Sequence, residues 1–318
     1  MKILKFYREK VKGGELSSEL IKLGRLLGEE LRLMSKNKRF LVFVILMIFP
    51  VLILTITSLL FWLPASSQNI ELMSIVYKGR DLAEIFSKEF EETVKSLYST
   101  IIGYWLGFPI LIVTAIFASE FIAGERSTGT FDLFATKPVL RSWLFLPKIL
   151  AFAIISFLTA SAVYLILVLI VSFSFFSFSF TALKMLSKVG WLIFKYIGVT
   201  WMFIMAICNF TVLLSAFTKR TLFAVFGVLA YSLGYGIAVS LISQLIPGTL
   251  GKVISQKLSY LDITNDASYY LGHIVFGEKS PIEYLVTMNP TICLAAVIGF
   301  ITIPLIVTII ILEYKDLL

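Results

Sequence analysis

Residues 149–171 read ILAFAIISFLTASAVYLILVLIV, with no charged position among them. A helix of about 20 apolar residues, rising about 1.5 Å per residue, covers a hydrocarbon core of about 30 Å. The stretch is therefore read as a membrane crossing. The pattern recurs along the chain. Further uncharged runs occupy 41–63, 97–119, 196–218, 221–247 and 291–312. These predict an all-α integral membrane protein with six transmembrane helices. A transmembrane β-barrel would show weak alternating segments of about ten residues instead. Only 172–180 (SFSFFSFSF) alternates, and it reads as a Ser/Phe-rich helix end at the interface. The run at 41–63 is too long, and starts too far into the chain, to be a signal peptide.

Composition agrees with this reading. The 318 residues are 58% hydrophobic and 15% charged. That balance excludes an ordinary water-soluble globule and a disordered chain. One His and two Cys exclude a disulfide scaffold and leave little material for zinc or histidine chemistry. The loops fix an orientation. With six spans, the side holding both termini carries 18 Lys and Arg, and the other side carries 10. Acids number 10 on each side, so the whole net charge of +8 lies on one face. The positive-inside rule makes that face cytoplasmic. The expected location is the cell membrane, multi-pass, with both termini inside. No basic stripe carries interleaved aromatics, so nucleic acid is not an expected partner.

Two units are expected, a cytoplasmic basic segment at 1–40 and a six-helix transmembrane domain at 41–318. In the first, Leu16, Leu20, Leu23, Leu27, Leu31 and Met34 recur every three or four residues, with charges largely between them. This is an amphipathic helix at the membrane interface, serving as a basic anchor or a docking surface. Outside segments are expected at 64–96 and 248–290. The first has helical spacing from Leu82 to Leu97; the second holds the lone His273 beside Asp262 and Asp266.

The span bodies carry no Asp, Glu, Lys or Arg. Charges inside a membrane usually mark ion pathways or proton relays, so their absence argues against an ion-coupled transporter or a charged-ring channel. No phosphate-binding loop of the G-x-x-x-x-G-K-[ST] type is present. Enzymatic activity, a bound cofactor and a resident metal are not expected. Asn209-Phe-Thr211 matches a glycosylation triplet but falls inside a span, so it is a chance match.

The loop from Ala118 to Ile149, ASEFIAGERSTGTFDLFATKPVLRSWLFLPKI, is unlike the rest of the chain. The second span runs on past the membrane to Glu120 and Gly124. Ser127-Thr128-Gly129-Thr130 is a polar break with helix-capping residues. Phe131, Leu133 and Phe134 then give a short amphipathic helix that Pro138 stops. Arg141 and Lys148 mark the re-entry into the third span. Such a helix, lying across the membrane face, suits force transmission from a soluble partner or serves as a plain surface connector. Glu125 is expected to brace the polar turn by accepting backbone N–H bonds, and Arg141 to fix the return of the loop.

These residues resemble the signature of the ABC-2 type transport permeases, E-x-x-x-G-T-x-x-x-L-x-x-x-P-x-x-R followed by a Lys before the third span. Glu125, Gly129, Thr130, Pro138, Arg141 and Lys148 match in register, with Phe134 in place of the Leu. Pro147 stands where the family often has a Gly. The resemblance implies the transmembrane subunit of an ATP-driven exporter. ATP would be used by a separate ATP-binding-cassette ATPase subunit. A homodimer, or a related second permease, and membrane lipids are the other implied partners. The rival reading is a six-helix channel or facilitator that needs no ATPase.

Overall fold

The structure, a computed structural model, describes residues 16–61, 108–129, 142–176, 180–246, 249–264, 269–270, 272–273 and 289–314. Among these residues the regular structure is helical throughout. The helices are α1 (Leu16–Lys36), α2 (Lys38–Phe61), α3 (Phe108–Ser119), α4 (Ser142–Phe176), α5 (Phe180–Phe217), α6 (Thr221–Leu245), α7 (Thr249–Ser259) and α8 (Pro290–Tyr314). Among the described residues, four stretches are long and apolar enough to cross a bilayer: Phe145–Ile166, Ile193–Phe217, Thr221–Ile242 and Pro290–Glu313. The expected first span coincides with α2. The expected second span is described only from Phe108, and the segment expected outside at 64–96 lies outside the described residues.

α5 is the centre of the bundle. Two thirds of its span is buried, against 17–39% for the other three, and it packs against α3, α4, α6 and α8. In a bilayer, apolar surface gains little by leaving lipid, so packing and interhelical hydrogen bonds hold such a core. The buried Tyr164 hydroxyl meets Thr200 at 2.9 Å, and the Tyr164 and Tyr196 rings stack at 6.3 Å. Trp201 Nε1 donates to the Ala153 carbonyl at 2.9 Å. Asn209 is 1% exposed, and its Nδ2 donates to the Ile301 carbonyl of α8 at 2.8 Å. That carbonyl lies three residues before Pro304, whose missing N–H leaves the neighbouring Phe300 carbonyl without its helical donor.

Helix ends differ from the uncharged runs. α4 starts seven residues before 149 and contains Pro147; α5 starts sixteen residues before 196. Lys184, Lys188 and Lys195 end an apolar run but not a helix, because lysine is a good helix former. The segment expected outside, at 248–290, also does more than stand off from the bundle. α7 doubles back along α6. Tyr235 donates to the Leu258 carbonyl at 2.9 Å, and Tyr231 to that of Leu261. Asp262, 5% exposed, lies 3.5 Å from where a Cβ on Gly236 would stand. The returning strand of chain thus covers the last 15–20 Å of α6, counted at about 1.5 Å per residue.

α1 is the amphipathic helix expected from its spacing. Leu27, Leu31 and Met34 pack toward the core, while Leu33 is 63% exposed. It lies against α4. Asn37 separates it from α2, its side-chain oxygen accepting the Arg39 N–H at 3.0 Å. That is the ordinary work of a helix N-cap.

Candidate functional site

α3 does not end at Ser119. The chain continues through a π-helical turn, Glu120–Gly124, and a last α-turn, Glu125–Ser127. In an α-helix, two residues five apart point about 140° away from each other. A π-turn bonds i to i+5, packs more residues into each turn, and narrows that angle. Glu120 and Glu125 are thereby both able to line one cleft. Gly124 sits where a Cβ would come within 3.2 Å of the Glu120 Cβ, so glycine suits the tight turn.

Three neighbouring polar residues on this extension tie it to three different helices. Glu120 pairs with Arg39 at the start of α2. Glu125 pairs with Lys148 of α4, both side chains largely shielded. Arg126 donates to the Ala216 carbonyl at 2.5 Å, covering one of the last carbonyls of α5. Unsatisfied carbonyls at a helix C-terminus favour such a cation. The extension is thus braced against the central helix as well as its neighbours.

The turn that follows is closed locally. Ser127 Oγ donates to the Gly124 carbonyl at 2.7 Å and Thr128 Oγ1 to the Glu125 carbonyl at 3.0 Å. Gly129 has φ +73, the left-handed conformation that ends many helices, and its N–H meets the Arg126 carbonyl at 3.3 Å. Glu125 is expected to brace the turn at Ser127–Thr130, of which the structure describes Ser127–Gly129. The two hydroxyls brace it, and the Glu125 carboxylate faces Lys148. The carboxylate gains more from a shielded ammonium than from a partly solvated turn. Gly129→Ala should cost about 1–2 kcal/mol, because a Cβ resists the left-handed region. Gly129→Asn should cost less. Thermal unfolding of the two variants in one detergent checks the order.

Between the α3 extension, α1 and α4 lies a cleft of about 550 Å³. α1 contributes Glu30, Leu33 and Met34; the next turn gives Asn37 and Arg39; Phe117 and Phe121 form an apolar floor. Glu120, Glu125 and Lys148 complete its charged walls. Glu30 is raised above the ordinary carboxyl value, chiefly by burial and secondarily by Glu125 and Glu29, with Lys148 pulling the other way.

Of the residues singled out in the sequence, Glu120, Glu125 and Lys148 line this one cleft, and Gly129 ends the helix beside it. Thr130, Phe131, Leu133, Phe134, Pro138 and Arg141 lie outside the described residues. Sequence reasoning missed Glu30, Arg39 and Arg126 as site residues. Glu30 shows only as one more charge on a polar helix face, and the two arginines only as topology charges.

A family model described as "ABC-2 family transporter protein" matches residues 25–317, from within α1 to beyond α8. No curated protein matches the chain significantly.

Proposed function

The chain belongs to the ABC-2 transporter family, and from that premise we propose that it is the permease half of an ATP-driven exporter, worked by a separate ATP-binding-cassette subunit. In this reading α2 and the segment leading into α3 complete a six-span domain with both termini in the cytoplasm. Two permease copies, or this chain and a related one, would enclose the path. The chain carries out no chemistry of its own. The supporting observation is the braced extension of α3. It joins the loop after Ser127 to α2, α4 and the central α5 through Glu120, Glu125 and Arg126. A push on that loop by closing ATPase subunits would move α3 against α5 as a lever, not bend a free loop. The uncharged span bodies suit an apolar or amphipathic cargo better than an ion.

The test is purification of the chain from a host expressing it with its candidate ATPase, then reconstitution into liposomes. A bound ATP-binding-cassette subunit is expected, with ATP hydrolysis that changes when the permease is present. A purified permease that binds no ATPase and conducts solutes passively would replace this reading with that of a channel or facilitator.

A further inference from the structure

The cleft beside the α3 extension has an uneven charge pattern. Its walls hold three carboxylates and two cations. Arg39 is taken by Glu120 and Lys148 by Glu125. Glu30 is left over: among the described residues no cation lies within ion-pair distance of it. Its carboxyl is half-buried, and burial raises it above the ordinary carboxyl value against the pull of Lys148. A half-buried carboxylate lacking a close partner weakens the fold of the lone subunit. The floor below it is aromatic, and Leu33 at the rim is 63% exposed. A site that is acidic at its wall and apolar at its floor fits a side chain with an apolar stem and a cationic head. Lys and Arg have that form.

We propose that Glu30 anchors a basic side chain of the ATP-binding subunit, which enters the cleft between α1, α3 and α4 head first. This rests on the permease reading above and adds its point of contact. The favoured occupant is a protein side chain, because the cleft adjoins Ser127 and Thr128, where the coupling loop begins. A single cationic side chain from a subunit engaging that loop would reach it without rearranging either ion pair. The ammonium headgroup of a membrane lipid is the competing occupant and is separated by the test.

The measurement is affinity of the isolated ATP-binding subunit, the one that co-purifies with the wild-type chain, for permease in nanodiscs. Glu30→Gln should weaken binding about 30-fold, as expected for losing one half of a shielded charge pair. Glu30→Lys should weaken it further, and Glu29→Gln on the same helix should not change it. The discriminating readout is opposite in sign. The free Glu30→Gln permease should melt no lower than wild type, because the substitution removes a charge that burial disfavours. Unchanged affinity in Glu30→Gln overturns the anchor. So does a lower melting temperature of the free variant with a matching loss of binding, which marks Glu30 as an internal brace. An effect that appears only in nanodiscs containing phosphatidylethanolamine, and not in purely phosphatidylglycerol ones, assigns the cleft to a lipid amine and also overturns it. Failure of the wild-type chain to bind any ATP-binding subunit removes the permease reading itself.

Discussion

Phe152→Ala should lower the stability of the bundle by about 3 kcal/mol, near the lower end for Phe→Ala in soluble cores. Phe152 is fully buried on α4. Its ring lies 5.3 Å from Phe117 of α3, 5.7 Å from Phe43 of α2 and 6.1 Å from Phe121 of the π-turn. One side chain therefore holds three elements, and two of its partners form the cleft floor. The lower figure follows from the membrane setting. The unfolded reference keeps apolar groups in lipid, so the transfer contribution shrinks and the lost packing remains. Each aromatic pair contributes about 0.5–1.5 kcal/mol beyond area burial, and three are lost together. Leu158, on the same helix but 60% exposed, is the control. Leu158→Ala should stay within about 0.5 kcal/mol of wild type. Thermal unfolding of both variants in one detergent decides; equal losses would mean that the aromatic cluster does not organise this end of the bundle.

The parts of this molecule that the sequence makes legible are those set by local composition. The runs at 149–171, 221–247 and 291–312 are apolar over a bilayer's thickness, and each has its helix. The every-third-or-fourth leucines of α1 predict which face packs inward, and Leu27, Leu31 and Met34 do. Gly129 stands out in the motif, and its backbone is left-handed. What stayed hidden depends on register and on distance in sequence. Nothing in Glu120-Phe-Ile-Ala-Gly124 marks a shift from i+4 to i+5 bonding, yet that shift lets Glu120 and Glu125 both line one cleft. Glu125 and Lys148 are each visible as signature residues, but 23 positions apart there is no spacing to reveal them as partners. Glu30 is more remote still. The return of α7 along α6 rests on tyrosine hydroxyls meeting carbonyls, contacts that leave no trace in hydropathy. It also carries Asp262 alongside a span whose own body is free of charge.

Lys148→Met should be among the most damaging single changes at the cleft. It removes the cation from between Glu125 and Glu30. Breaking a fully buried pair costs about 3–5 kcal/mol, most of it the burden of the charge left behind. Here the Lys148 and Glu125 side chains are 15% and 23% exposed, so water relieves part of that burden. About 2 kcal/mol is the expected loss at neutral pH. Glu125→Gln leaves the lysine alone and should cost less, because Glu30 remains nearby to attract it. The double variant should recover much of the loss, and the cycle isolates the pair. The pH dependence follows from Glu30. Its folded value is already raised, and Lys148 is what opposes the rise. A carboxyl whose folded value lies above its unfolded one is tolerated best below the unfolded value. It burdens the fold increasingly as pH rises from there through the folded value. For Glu30 that window opens at about 4.5, the ordinary value of the group, and extends upward. Lys148→Met should therefore lie closest to wild type in acid and fall furthest behind near neutrality. Adding Glu30→Gln should flatten the difference. Melting temperatures of wild type, Lys148→Met and Glu30→Gln/Lys148→Met across that range provide the check. A deficit in Lys148→Met that is the same at every pH would mean that the lysine acts through the packing of its stem, and that the three charges do not share one field.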